Sequence, residues 1–153
     1  MRQTITFKEI LQEEEIKTYI RRADLSLERM GFTEHSFAHV MRVSKCAGDM
    51  LQQLGYDEHD VELARIAGYM HDIGNVINRI DHAQSGAIMA FRILDKMGMQ
   101  YEDIAKIIAA IGNHDESTAF PVSDVAAALI IADKSDVRRS RVRNADKSSF
   151  DIH

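Results

Sequence analysis

Seven histidines in 153 residues become informative once sorted by their surroundings, because an imidazole that interrupts an apolar helical stripe is buried and needs a partner. Four do so. His39 lies one turn before Val43 and Cys46, and His71 follows Ala67 by four residues and Met70 by one. His82 precedes Gly86 by four, a residue small enough for another helix to approach, and His114 continues the face of Ile107 and Ile111. Asp133 stands one turn beyond Leu129 and Ile130 in the most apolar segment of the chain, where an unneutralised carboxylate is costly. Helices bundled with these stripes inward would bring imidazoles and carboxylates to one buried centre, and a metal cluster there would offset that cost. Nitrogen and oxygen ligands without thiolate suit Mn, Fe, Co, Mg or Zn in an open catalytic site better than a closed structural zinc site.

His71 and Asp72 are neighbours, and side chains of successive helical residues diverge by about 100°. At a helix end, however, Asp72 could bridge two ions. Such ions lower the pKa of a water and hold the oxygens of the electrophile it attacks, so phosphorus esters are the expected substrates. His71, Asp72 and Lys134 form the expected catalytic set. Lys134, Arg138 and Arg139 follow Asp133 within two turns and could contact substrate phosphates by charge-assisted hydrogen bonds; the same cations also fit an ordinary solvated face. His59 and Asp60 belong to a polar helix start where no metal is expected. His35, four residues before His39, could support His39 from behind the cluster or face solvent, and the solvent side is the favoured reading.

The elements that must position these residues are helical. Thr6 and Glu9 have capping-box spacing and open a helix over about residues 7–30 that stops at Gly31. A second runs from about Thr33 to Leu54, with Gly55 as its stop. Asp57 caps a third, which ends at Asp72, Ile73 and Gly74, where glycine permits a left-handed turn. A fourth begins near Asp81 and closes at Gly98, and a fifth covers about Tyr101 to Ile111. Pro121, the single proline, breaks the pattern before Ser123 or Asp124 starts a sixth helix, whose apolar face is lost after Val137. The expectation is an all-α, single-domain bundle of about six main helices, with its core over about residues 33–139. The basic tail, 140–153, ends in what could be half of a hairpin, and the chain could be cut short there.

A formal charge of -5 and a pI near 5.8 provide no global positive field, so a long nucleic acid is not an expected partner. One cysteine, Cys46, excludes an internal disulfide and a paired-cysteine zinc site. The longest apolar stretch, Val125 to Ala132, is too short to span a bilayer, and the N-terminus lacks a signal peptide's apolar run. The expectation is a soluble cytoplasmic protein without a membrane partner. Its expected partner is a small-molecule phosphate ester, foremost a nucleotide, with a homodimer as a candidate assembly.

On these residues the chain resembles the HD superfamily of metal-dependent phosphohydrolases, all-α enzymes named after an adjacent histidine and aspartate. The resemblance covers roughly Thr33 to Arg139. It rests on His39 in HSFAHVMRV, His71 and Asp72 in GYMHDIGN, and Asp133 in LIIADKSD, and it implies these four as metal ligands. His82 in DHAQSGA and His114 in IAAIGNHDE fall where the two-metal subgroup has its extra histidines, so the resemblance implies a dinuclear centre. The HD-GYP enzymes, which cleave cyclic di-GMP, would have lysine at Asn75, histidine at Asn113 and a Gly-Tyr-Pro motif where this chain continues STAFPVS. Neither that substrate nor a trinuclear centre is implied. The implied activity is hydrolysis of a phosphoester or phosphoanhydride of a nucleotide or similar small molecule by a metal-activated water. The rival reading is a regulatory HD module that binds a nucleotide or protein partner without turnover; lost ligands would be its signature, and none is lost.

Overall fold

In a computed structural model, residues 1–137 are described; Arg138, Arg139 and the tail that follows, with its half-hairpin, lie outside them. The chain opens with the expected capping box, in which Thr6 Oγ1 accepts from the Glu9 amide and the Glu9 carboxylate accepts from the Thr6 amide. The helix it starts, α1 (Phe7–Gln12), ends at Glu13, whose backbone is extended (φ -74°, ψ 114°), and α2 (Glu14–Arg29) begins immediately afterwards. The single N-terminal helix read from the sequence is therefore two. Ile10 and Ile16 are both fully buried, yet residues six apart on one helix point about 120° away from each other. The break at Glu13 lets both face the core.

The remaining elements are α3 (Phe37–Gln53), α4 (Glu58–Met70), a 3-10 turn (Ile73–Val76), α5 (His82–Lys96), α6 (Tyr101–Gly112) and α7 (Asp124–Lys134). Asp57 and Ser123 cap α4 and α7 by accepting from the amides of Asp60 and Ala126. Gly31, Gly55 and Gly98 follow α2, α3 and α5 with positive φ, as expected of helix stops. Two boundaries shift: α3 starts at Phe37 rather than near Thr33, and α7 ends at Lys134. No β-strand occurs among the described residues; Gln3 forms one isolated parallel bridge to Met99.

Helix α4 is the centre of the bundle. It packs against α1, α3, α6 and α7, and its second half is buried on every side from Leu63 to Met70 apart from Arg65. The 3-10 turn that follows it is clasped between α2 and α5. Gly74, in that turn, does not adopt the left-handed backbone that the sequence reading assigned to it. Its lack of a side chain serves close approach instead: a Cβ there would stand 2.0 Å from the His82 carbonyl oxygen and 2.6 Å from the Gly86 nitrogen. Gly86 completes the contact from α5, as its small size led us to expect. This crossing brings the segment after His71 and Asp72 against the first turn of α5, which carries His82.

No helix among the described residues is long and apolar enough to cross a membrane. Gly74→Ala is expected to cost about 1–3 kcal/mol of stability by overpacking and to weaken metal uptake, because the clash falls on His82. Thermal unfolding with a parallel metal titration checks this; an unchanged melting profile would contradict it.

Candidate metal centre

Asp72 is the hub. Helix α4 terminates between Met70 and Asp72: His71 is the last residue with helical backbone, and Asp72 turns off the helix at φ -104°, ψ 5°. Neighbours that would diverge within a helix can therefore converge, and His71 Nε2 lies 3.1 Å from Asp72 Oδ2. On the same side, His39 Nε2 from α3 is 3.3 Å from Asp72 Oδ2 and 3.2 Å from Asp133 Oδ1 of α7, while His71 Nε2 is 3.3 Å from Asp133 Oδ1. The other carboxylate oxygen, Asp72 Oδ1, faces His82 Nε2 at 3.6 Å and His114 Nε2 at 3.7 Å. All six candidate ligands read from the sequence, His39, His71, Asp72, His82, His114 and Asp133, thus meet at one place.

The histidines are held in one tautomer by what their other ring nitrogen touches. Nδ1 of His71, His82 and His114 lies 2.7, 3.1 and 2.6 Å from the carbonyl oxygens of Gly68, Arg79 and Ile111. A carbonyl only accepts, so each Nδ1 donates and the neutral ring turns its Nε2 lone pair inward. Three of the inward atoms, His39 Nε2, His71 Nε2 and Asp72 Oδ2, are buried without any hydrogen-bond partner. Two further lone pairs face each other where His82 Nε2 and His114 Nε2 stand 3.1 Å apart. Orphaned buried acceptors of this kind require a cation or a proton between them. Ligand atoms at about 2.1 Å from a common ion, at tetrahedral to octahedral angles, are separated by about 3.0–3.4 Å, which matches the 3.1–3.3 Å spacings among His39, His71, Asp72 and Asp133. The donor set fits divalent metal.

Asp136 escaped the sequence reading, and His35 was placed at the cluster only as the less favoured of two readings. His35 is not on the solvent side of a helix: it lies in the non-helical segment before α3, is buried, and brings Nε2 to 4.0 Å from Asp72 Oδ2. Its amide donates to Asp24 Oδ1 on α2 and its Nδ1 to the Thr33 carbonyl, which fixes the ring inward. The correction follows from the late start of α3, because the four-residue spacing to His39 has no helical meaning before Phe37. Asp136 accepts from His39 Nδ1 at 2.8 Å and so orients the one cluster histidine of α3. Its signal was present in LIIADKSD, where Asp133 and Asp136 are three residues apart and share a face.

Lys134, read from the sequence as part of the catalytic set, is instead the last residue of α7, is exposed and does not line the cavity at the cluster, because successive helical side chains diverge and its neighbour Asp133 takes the inward direction. His59 pairs with Asp103 at 2.7 Å and joins no convergent ligand set among the described residues. The cavity itself is small, about 60 Å³, and is lined by histidines and acids together with Arg79. A larger groove of about 640 Å³ beside Arg42, Lys45 and Met50 includes Asp136 but no other member of the cluster.

The electrostatics follow from burial against mutual attraction. Burial pushes the His39 imidazolium down, but the carboxylates of Asp133, Asp136 and Asp72 overturn this and lift it from 6.5 to about 9. His71, similarly opposed by burial, is lifted to about 10 by Asp72 and Asp133. Burial alone would raise Asp72; the imidazoles of His71, His35, His114 and His39 instead hold it well below the usual carboxylate range. His82 is driven by burial down to about 4 and stays neutral. Without metal, protons on His39 and His71 thus neutralise the buried carboxylates.

The HD domain family matches residues 36–145, and the chain belongs to that family. A solved structure described as a predicted HD superfamily hydrolase, from an uncultured Thermotogales bacterium, superposes with a TM-score of 0.62 at 26% identity, covering 85% of this chain and 73% of that one. An uncharacterised protein of Methanocaldococcus jannaschii is 24% identical over 96% of this chain, and ribonuclease Y of Bacillus thuringiensis strain Al Hakam is 30% identical over 80% of it. The chain spans 65% of the first of these relatives and 22% of the second.

Two outcomes are expected. Asp136→Ala should weaken metal binding about 10- to 100-fold, the usual effect of removing the partner that orients a ligating histidine; a competition titration with a chromophoric chelator measures it. Metal-free protein should lose stability as pH rises from about 6.5 through 9 and 10, because His39 and His71 hold protons in the fold that the unfolded chain releases earlier. Metal affinity should rise over the same window as those protons cease to compete. Melting temperatures and metal titrations across pH test both trends, and a pH-independent pair of curves would contradict them.

Proposed function

We propose that the protein is a metal-dependent phosphohydrolase that cleaves a phosphoester or phosphoanhydride of a small molecule, foremost a nucleotide. One observation carries the reading: five buried imidazoles and two carboxylates converge beside a small polar cavity, and three of their inward atoms, His39 Nε2, His71 Nε2 and Asp72 Oδ2, are buried without a hydrogen-bond partner. Divalent ions held by His39, His71, Asp72 and Asp133 on one side and by Asp72, His82 and His114 on the other would supply Lewis acidity at a phosphoryl oxygen and an acidified water. The chain's own contribution is positional. Asp72 presents one oxygen to each group of imidazoles, the backbone carbonyls keep the ring nitrogens aimed, and Asp133, ionised at neutral pH, adds a carboxylate at the edge of the cavity. Lys134 has no part in this arrangement.

The likeness to ribonuclease Y favours a second reading, hydrolysis of an RNA phosphodiester. Against it stand the net charge of -5 and the acids Asp115 and Glu116 at the cavity, which repel a polyanion. A regulatory module without turnover remains the rival from another class, and metal bound without hydrolysis of any nucleotide, polyphosphate or RNA substrate would favour it. Asp72→Ala is expected to abolish metal uptake and turnover while far-ultraviolet circular dichroism stays helical. Undiminished hydrolysis by that variant would refute the mechanism.

A further inference from the structure

Arg79 lies in the loop between the 3-10 turn and α5, and nothing in the ligand set above uses its side chain. The residue nevertheless lines the same cavity as His35, Asp72, His82 and His114. Every other residue lining it is a histidine, an aspartate or a glutamate, so among the described lining residues Arg79 is the one permanent cation and the one side chain that can only donate. Its position is built rather than incidental. The guanidinium carbon sits 5.6 Å from the centroid of the Phe32 ring, and Nη1 donates to Asn75 Oδ1 at 3.2 Å. Asn75 is buried and anchored in turn, its Nδ2 donating to the Asp72 carbonyl at 3.0 Å. The Arg79 carbonyl accepts from His82 Nδ1. One residue therefore orients a cluster histidine with its backbone and is tied, through Asn75, to the residue that carries the central carboxylate.

We propose that Arg79 is the phosphate-anchoring residue of the site. A guanidinium has five N–H donors, and Asn75 occupies one in this structure. The remainder form a fork that matches two oxygens of a phosphoryl group presented to the cluster. In a wall of carboxylates and imidazoles, this is the group that makes an anion welcome. The inference rests on the phosphohydrolase reading and names the residue that would confer its preference for phosphate.

The test uses the full-length protein loaded with Mn, its metal content measured, and inorganic phosphate as the probe in calorimetric titration. Arg79→Gln should weaken phosphate binding about 10- to 100-fold, the worth of a hydrogen bond to a charged group, with metal content unchanged. Arg79→Lys should recover only part of the loss, because a point charge lacks the fork. Phe32→Ala, which keeps the charge and removes its platform, should show a smaller loss. Phosphate binding to metal-loaded Arg79→Gln at wild-type strength would overturn this proposal alone. Failure of the wild-type protein to take up metal would overturn the phosphohydrolase reading, and this proposal with it, so the two failures are distinguishable.

Discussion

A carboxylate as enclosed as Asp72, 4% exposed, stays ionised only where positive charge or hydrogen-bond donors surround it, and the helices of the bundle meet that requirement by bringing imidazoles to it. Five imidazole rings stand edge to face in a row, His35 to His39, His39 to His71, His71 to His114 and His114 to His82, with centroids 4.9–5.2 Å apart. No single helix could present them. They come from the segment before α3, from α3, from the end of α4, from the start of α5 and from just beyond α6. The apolar stripes that fold the chain are thus also the means by which charged groups far apart in sequence share one solvent-poor space.

That arrangement needs close backbone approach at two crossings. At Gly68 of α4, a Cβ would meet the Ser44 backbone of α3 at 2.7 Å, so its absence lets the helices bearing His39 and His71 draw together. At Gly74 and Gly86 the same economy of volume seats the turn after Asp72 against the start of α5. Asp81, the one non-glycine residue with positive φ among the described residues, then redirects the chain so that His82 begins the helix already facing inward. Backbone strain adjacent to a ligand is consistent with a site that overrides local preference.

The convergence of five of the six expected ligands was legible in the sequence because each interrupts or ends an apolar helical stripe, and periodicity reports burial without any knowledge of tertiary contacts; Asp72 was read from its place beside His71 at a helix end and from the resemblance to the HD superfamily. What periodicity could not report lies where the helix stops. His35 precedes the first turn of α3, so its inward direction is set by Asp24 and Thr33 rather than by a face. Asp136 follows the last turn of α7, and only its three-residue offset from Asp133 hinted at a shared side. Arg79 belongs to a loop, where no repeat places a side chain. The break at Glu13 was hidden for a related reason: a capping box marks where a helix begins, whereas the interruption arises from the demand that Ile10 and Ile16 both be buried. Gly74 was correctly marked as special but for the wrong cause, since sequence alone does not separate a glycine chosen for its dihedral angles from one chosen for its absent Cβ.

The most direct measurement is a crystal structure of the full chain grown with excess manganese, with anomalous scattering used to locate the ions. The account predicts anomalous density enclosed by His39, His71, Asp72 and Asp133, and further density between Asp72, His82 and His114. Density confined to other surfaces, or an empty cluster with the imidazoles turned away from Asp72, would contradict it.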